Sequence, residues 1–386
     1  MKDWLPYELH THTYHSDGKQ SLRELARAAR ELGLRGIALT DHNTMAGLME
    51  REAVMAETGL DIIRGLEWTT FFGHMLALGL AEYVDWRNTS AFHLHRGIRG
   101  VHEQGGIVGV AHPFRIGSPM CTGCFWEFAV SDWNDVDYIE VWSGTFPSIQ
   151  NNNARAFAMW TALLNQGYRI AATCGRDWHS PEPAKEPVAA TFLGLRLQAG
   201  DEAHAAAAAS GRDRAALDAL KRGAVSVSMG PLLLLAVRDP ATGREWSLGD
   251  GVDAAACAGS LKARVTVDLS ARQGHWELPG QTLEVRLASN MGELAVLKLA
   301  LPPNPAEGAA GGAAEMPTDA VRRTAPAIRR EPPERSADWT LAPGSVLTAE
   351  HPLDAAGLKW LRAELFGTFC GVRTMIAFTN AIYFGE

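Results

Sequence analysis

Residues 8–18 read ELHTHTYHSDG and bring His10, His12, His15 and Asp17 within eight positions. The whole chain of 386 residues holds only 13 histidines, so three in one short stretch call for a reason. Side chains two apart on a strand share a face. A strand ending here can therefore offer His10 and His12 to one cation. The same pair also suits a polar strand end whose imidazoles face water. The rest of the chain must decide.

Outward from that stretch, apolar runs alternate with helical patterns up to about residue 232. SLRELARAAREL (21–32) has Leu22, Leu25, Ala29 and Leu32 at helical spacing, a capping-box pair in Ser21 and Glu24, and Gly33 as a stop. RGIALTDHN (35–43) follows as a buried-type strand ending in polar residues. A helix near 46–57, strands near 62–69 and at HMLALGL (74–80), and a helix near 91–104 lead into GIVGVAHP (106–113). YIEVWSG, ARAFAMWTALLNQG, IAATCGRDWH and DRAALDALKRG continue the alternation to residue 223. Strands alternating with helices imply parallel βαβ units, and this many imply an α/β barrel.

From about Pro231 the texture changes to short alternating strands such as LLLLAVRD, SLKARVTVDLS, TLEVRLAS and TMIAFTNAIYF. They predict an all-β, sandwich-like second domain over 233–386, after a first domain over 1–232. An insertion at about 302–338 is rich in Pro, Ala and Gly and poor in large apolar residues. It cannot bury enough surface to offset ordering entropy, so it reads as a mobile loop. Its arginines are either a binding feature or a solvated tether.

The formal net charge of −8 disfavours a nucleic-acid polymer as partner. MKDWLPYELH has no apolar signal core, and no window approaches a membrane span. Five scattered cysteines do not form a disulfide framework. The expectation is a cytoplasmic protein with reduced thiols, no membrane partner, and a possible homodimer through the C-terminal domain.

The polar residues of the first domain gather at strand ends. His10 and His12 end the first strand, with Asp17 on the loop beyond. Asp41 and His42 end the second, Glu67 ends GLEW, and His74 stands just past it in GHML. His112 ends VAHP, and Asp177 and His179 end GRDWH. In barrels of this kind the carboxyl ends of the strands carry the active site. Any one of these residues has an ordinary reading, such as a helix cap or a surface carboxylate. Together, at successive strand ends, they point to a metal centre.

The order and spacing of these motifs resemble the PHP (polymerase and histidinol phosphatase) superfamily of metal-dependent hydrolases over roughly residues 7–232. GLEW with GH, AHPF, IEVWSG and the closing AFTNAIYF are similar to its CehA/McbA-like branch. The resemblance implies a distorted seven-stranded (β/α) barrel with three metals. His10, His12, Glu67 and Asp177 would bind the first ion. Glu67 would bridge to a second held by His74 and His112. Asp17, His42 and His179 would hold the third. Imidazoles and carboxylates suit Zn, Mn or Fe. About three net positive charges would remain on such a centre, which suits hydroxide generated from water and an anionic ester.

The expected activity is a phosphoesterase acting on a small phosphorylated metabolite or nucleotide, an anionic small molecule. Carbamate, ester or amide hydrolysis by the same centre stays open, because the branch is associated with carbamate cleavage. So does a non-catalytic metal-binding module. Glu67 and Asp177 would take part in catalysis as ligands. Arg115 and Arg176 could grip phosphate oxygens or form rim salt bridges. His15 could shuttle a proton or simply pack. Asp41 would orient a ligand histidine, and Glu140 would order Arg115 or a metal-bound water. Trp68, Trp126, Trp142 and Trp178 flank these motifs and either line a pocket or fill the core. Cys121 and Cys124 form one CxxC that lacks a second pair for zinc. His93, His95 and His102 read as a solvated helix face.

Overall fold

The computed structural model describes residues 3–117, 123–196, 205–253, 260–301 and 346–385. The 302–338 insertion and Cys121 lie outside the described residues. The chain forms a mixed α/β region followed by a sheet-rich region.

Strands β1 (Asp3–Thr11), β2 (Gly36–Leu39), β3 (Asp61–Thr70), β4 (Gly73–Leu78), β5 (Ile107–Ala111), β6 (Tyr138–Ser143) and β7 (Ala171–Gly175) are neighbours in that order. Helices α1 (Leu22–Glu31), α2 (Arg51–Thr58), α3 (His95–Glu103) and α4 (Asn151–Gln166) fall between them. The Ser21–Glu24 capping box forms: Glu24 N–H donates to Ser21 Oγ, and Ser21 N–H donates to the Glu24 carboxylate. Helix α3 starts at His95, four residues later than the sequence pattern suggests.

The pairing departs from a uniformly parallel set. β1–β2–β3 and β5–β6–β7 are parallel, but β4 runs antiparallel to both β3 and β5. Only Phe71 and Phe72 separate β3 from β4, and so short a link permits a hairpin but no crossover. The segment after β7 returns to β1. Trp178 N–H donates to His10 O, and His12 N–H donates to Trp178 O, both at 3.0 Å.

β8 (Ala190–Leu195) runs antiparallel along the other edge of β1, and α5 (Ala205–Arg222) leads to β9 (Val225–Ser228). Ten strands follow: β10 (Leu232–Arg238), β11 (Glu245–Ser247), β12 (Gly251–Val252), β13 (Leu261–Asp268), β14 (Gln281–Ser289), β15 (Gly292–Leu301), β16 (Val346–Leu353), β17 (Trp360–Phe369), β18 (Val372–Thr379) and β19 (Ile382–Phe384). One sheet has the order β11-β10-β13-β16. The other contains β14, β15, β17 and β18, and it is not separate from the first region. β18 pairs with β9, so a single sheet runs on through β8 into β1.

Alternation along the strands explains the layering. Leu261, Ala263, Val265 and Val267 of β13 and Leu283, Val285 and Leu287 of β14 are all buried, while the residues between them are more exposed. This period of two puts one face of each sheet into a shared core. No helix of the described residues is long and apolar enough to cross a membrane.

Candidate metal centre

The ends of β1, β2, β5 and β7 and the β3–β4 hairpin bring nine side chains into three overlapping groups. His10, His12, Glu67 and Asp177 form one, Glu67, His74 and His112 the second, and His12, Asp17, His42 and His179 the third. In each group one donor atom per residue lies within 4.8 Å of every other. The groups correspond to the three ligand sets implied by the family resemblance. His12 additionally reaches the third.

The first group brings two imidazoles and two carboxylates together. His10 Nε2 lies 3.2 Å from Glu67 Oε2 and 3.3 Å from Asp177 Oδ1. His12 Nε2 lies 3.5 and 3.0 Å from the same two oxygens. All four atoms are buried and make no hydrogen bond of good geometry, and His42 Nδ1 also lies 2.7 Å from Glu67 Oε2. A tetrahedral ion with ligands at about 2.0–2.1 Å would space them about 3.3 Å apart. Four converging donors left without well-formed hydrogen bonds at this spacing fit a divalent cation. Such atoms would otherwise cost desolvation energy with no return.

In the second group, Glu67 Oε1 lies 2.9 Å from His74 Nδ1 and 3.4 Å from His112 Nε2. Thr69 of β3 faces His74 of β4, which sets His74 diagonally across the hairpin from Glu67. In the third group, Asp17 Oδ1 lies 3.3 Å from His42 Nε2 and 2.9 Å from His179 Nε2. The rings themselves pack: His12 stacks on His179 with centroids 4.0 Å apart, and His10 on His112 at 5.5 Å.

The surroundings hold the donors in place. Glu140 Oε2 lies 2.7 Å from His10 Nδ1 and fixes that ring from behind, so it orders a candidate ligand histidine. Thr69 Oγ1 lies 2.5 Å from His42 Nδ1, and the backbone O of Asp177 lies 2.9 Å from His179 Nδ1. Asp41 does not orient a histidine. Its carboxylate accepts from Thr13 N–H (2.6 Å), Thr13 Oγ–H (2.7 Å) and Ser16 Oγ–H (2.7 Å), which pins the loop that carries Asp17. Glu8, which the sequence did not single out, accepts from both His10 N–H (3.0 Å) and Arg176 N–H (2.9 Å). It staples the two strand ends that present His10 and Asp177. Its position one turn of the pleat before His10 was the only available hint.

Two of the donors sit on unusual backbone. His112 has φ of 28° and Asp177 φ of 53°. Left-handed conformations of non-glycine residues cost about 1–3 kcal/mol each and concentrate at functional sites.

The electrostatics are those of a cation site. Burial would raise Glu67 and Asp177, but the nearby imidazoles outweigh it and hold both carboxyls well below their usual range. Burial would lower His10, yet Glu67, Glu140 and Asp177 outweigh it and raise its proton affinity well above the ordinary value. His12 is pushed down to about 4, chiefly by burial. The carboxylates thus demand positive charge, and His12 is already in the neutral form that a metal requires.

The remaining predicted site residues are spread more widely. Arg115 Nη1 pairs with Asp177 Oδ2 and is therefore close to the cluster. The Arg176 guanidinium lies over the Trp178 ring at 4.4 Å and donates to Glu182 O, so it is not brought to the donors. His15 is exposed and belongs to none of the three groups. Trp68, Trp142 and Trp178 are buried in the core, and Trp126 packs against Phe128. Burial of the first three and the ring contact of the fourth are those of packing residues. Cys124 is buried. His102 Nε2 lies 3.0 Å from Asp137, His93 is exposed and His95 is half-buried.

Similar proteins place this geometry in context. An uncharacterized protein of Methanocaldococcus jannaschii is 29% identical over 125 residues, which span 30% of this chain and 69% of that one. A 5'-3' exoribonuclease of Haemophilus influenzae is 42% identical over 64 residues, which span 17% of this chain and 23% of the exoribonuclease. A solved two-domain protein of Bacteroides vulgatus, described as containing a predicted PHP-like metal-dependent phosphoesterase, superposes with a TM-score of 0.50 at 13% identity. That superposition covers 99% of this chain and 96% of the other. Its fold runs through both halves. Residues 8–96, which carry six of the nine candidate ligands, match the PHP domain.

Proposed function

We propose that this chain is a metal-dependent phosphoesterase of the CehA/McbA-like branch, acting on a small phosphorylated molecule. The carrying observation is the set of four buried, converging donors at 3.0–3.5 Å from His10, His12, Glu67 and Asp177. His74 and His112 with Glu67, and Asp17, His42 and His179, would hold a second and a third ion. Zn, Mn or Fe suit these donors. When bound, such ions acidify water and offset the negative charge that builds on a phosphoryl group.

The chain's own residues position and exclude. Glu140 holds the His10 ring, Glu8 ties the strand ends together, and Arg115 stands beside Asp177. The return of Trp178 to β1 supports a closed ring of seven strands. The division near residue 232 and a homodimer through the later strands are parts of the same proposal.

One observation favours a second reading, hydrolysis of a carbamate or carboxyl ester. Arg115 is already ion-paired with Asp177 and is therefore less available to a phosphate. Against it, the tryptophans that would make an apolar pocket are packed in the core.

Elemental analysis combined with rates on p-nitrophenyl phosphate and a naphthyl carbamate tests the choice. Bound divalent metal with phosphate-ester turnover supports the phosphoesterase. Metal with carbamate turnover alone would keep the centre and replace the substrate class. A protein without metal or turnover would sink both.

A further inference from the structure

Beside the metal cluster lies a cavity of about 550 Å3, lined among others by Phe114, Arg115, Ser143, Asn151, Asn152 and Arg155. Arg115 belongs to both places, since it lines the cavity and pairs with Asp177. Ser143 lies on β6, three residues beyond the Glu140 that holds His10. A ligand in the cavity is therefore adjacent to the donor cluster.

The lining is arranged for negative charge. It contains two arginines and no carboxylate. Of the two arginines Arg115 is paired with Asp177, and the Glu186 carboxylate nearby accepts a hydrogen bond from Thr145 Oγ at 2.5 Å. The Arg155 guanidinium rests over the Phe114 and Phe125 rings, at 4.4 and 5.6 Å from their centroids. Helix α4 starts at Asn151, and its capping residue Gln150 provides no side-chain cap. The first backbone N–H groups of a helix lack intrahelical partners and carry partial positive charge.

A second, independent feature points the same way. Ser143 is 4% exposed, and its Oγ has no hydrogen-bond partner. Its backbone is clamped: Asn153 Oδ1 accepts from Ser143 N–H at 3.1 Å, and Asn153 Nδ2 donates to Ser143 O at 2.9 Å. A buried hydroxyl is thus held rigidly at the cavity wall with its own hydrogen bond unspent. Buried hydroxyls are normally paired, and a ligand oxygen would pair this one.

We infer that this cavity is the subsite for a second anionic group of the substrate, a carboxylate or a phosphate separate from the ester at the metal cluster. Arg155 and the start of α4 bind the charge, and Ser143 Oγ–H donates to one of its oxygens. The substrate class becomes a phosphate ester that carries a second anion. This rests on the phosphoesterase reading above and narrows it.

The test uses the full chain loaded with Mn2+ and a matched series of phosphorylated hydroxy acids of increasing length, each compared with its primary amide. Phosphate release is measured. At one chain length the acid should exceed its amide in kcat/KM by about ten- to a hundredfold, mostly through KM. Arg155→Gln should collapse that preference, and Ser143→Ala should reduce it. Arg155 is exposed and Ser143→Ala is small, and a melting temperature for each variant separates a lost subsite from a lost fold. Equal rates for acids and amides at every length, or a preference that survives Arg155→Gln in a folded protein, would overturn the subsite alone. No phosphate release from any compound by the metal-loaded protein would overturn the phosphoesterase reading and the subsite with it.

Discussion

Asn380 binds both backbone groups of Ala172. Its Oδ1 accepts from Ala172 N–H at 2.7 Å, and its Nδ2 donates to Ala172 O at 2.8 Å. All four atoms belong to buried residues. A residue just past β18 thus acts as a one-residue extension of the sheet at β7, the strand that delivers Asp177 and His179. Trp360 Nε1–H donates to Asn165 Oδ1 and Arg362 to Thr161 Oγ, which tie the later sheet to α4 in the same way.

Asn380→Ala should therefore lower stability by about 2–4 kcal/mol, since it leaves two buried backbone groups unpaired. Chemical denaturation measures the loss. Metal content per folded chain should also fall, because the strand end is no longer fixed. An unchanged midpoint would show that Ala172 finds other partners.

Glu67→Gln removes the carboxylate shared by two of the three donor groups. Metal content should drop, and hydrolytic rate should fall by at least about a hundredfold. Elemental analysis and rate are read on the same sample. Full metal content in the variant would remove Glu67 from the ligand set.

Glu140→Gln keeps the shape behind His10 but exchanges a carboxylate for an amide. Metal affinity should weaken about 10–100-fold, as read by competition with a chelating dye. Gly175→Ala should act on the same contact, because a Cβ there would lie 2.3 Å from Glu140 Oε2 and 2.7 Å from the His10 Cβ. Agreement between the two variants would identify the Glu140–His10 contact as their common cause. A silent Gly175→Ala would mean the packing relaxes.

His42 gives a pH signature. Burial opposes its protonation, but Asp17 and Glu67 outweigh that and lift its pKa to about 10. Its proton affinity is higher folded than unfolded, so protonated His42 contributes stability below about 6.5. That contribution is lost as pH rises through about 10. The metal-free protein should melt lower at pH 9.5 than at pH 7. Metal binding must expel this proton, so apparent affinity should rise by up to about tenfold per pH unit between pH 7 and 9. Melting scans with chelator and with Mn2+ at both pH values check the two slopes. A metal-free melting temperature that rises with pH would contradict the assignment.

The donors were legible in the sequence because each sits within a few residues of an apolar run, where strand ends converge by topology alone. The Ser21–Glu24 cap was legible because it is local. What escaped is what depends on contacts between distant segments. Glu8 looks like any strand carboxylate until Arg176 N–H arrives from 168 residues away. Arg176 precedes a candidate ligand, yet its guanidinium lies over the Trp178 ring. The antiparallel β4 was hidden in a pattern that also suits a parallel strand, and only the two-residue link gives it away. Asn380, in TNAIYF, carries no signal of its partner.

The continuous sheet has a consequence for anyone dividing this chain. A fragment ending near residue 232 would keep β9 but lose Ala377, Phe378 and Thr379, which pair with Ser228, Val227 and Ser226. It would present a bare strand edge flanked by apolar side chains, a template for pairing with other copies. Expressed alone, the half that carries the donor cluster should aggregate, and the later strands act as its protective edge as much as a neighbour.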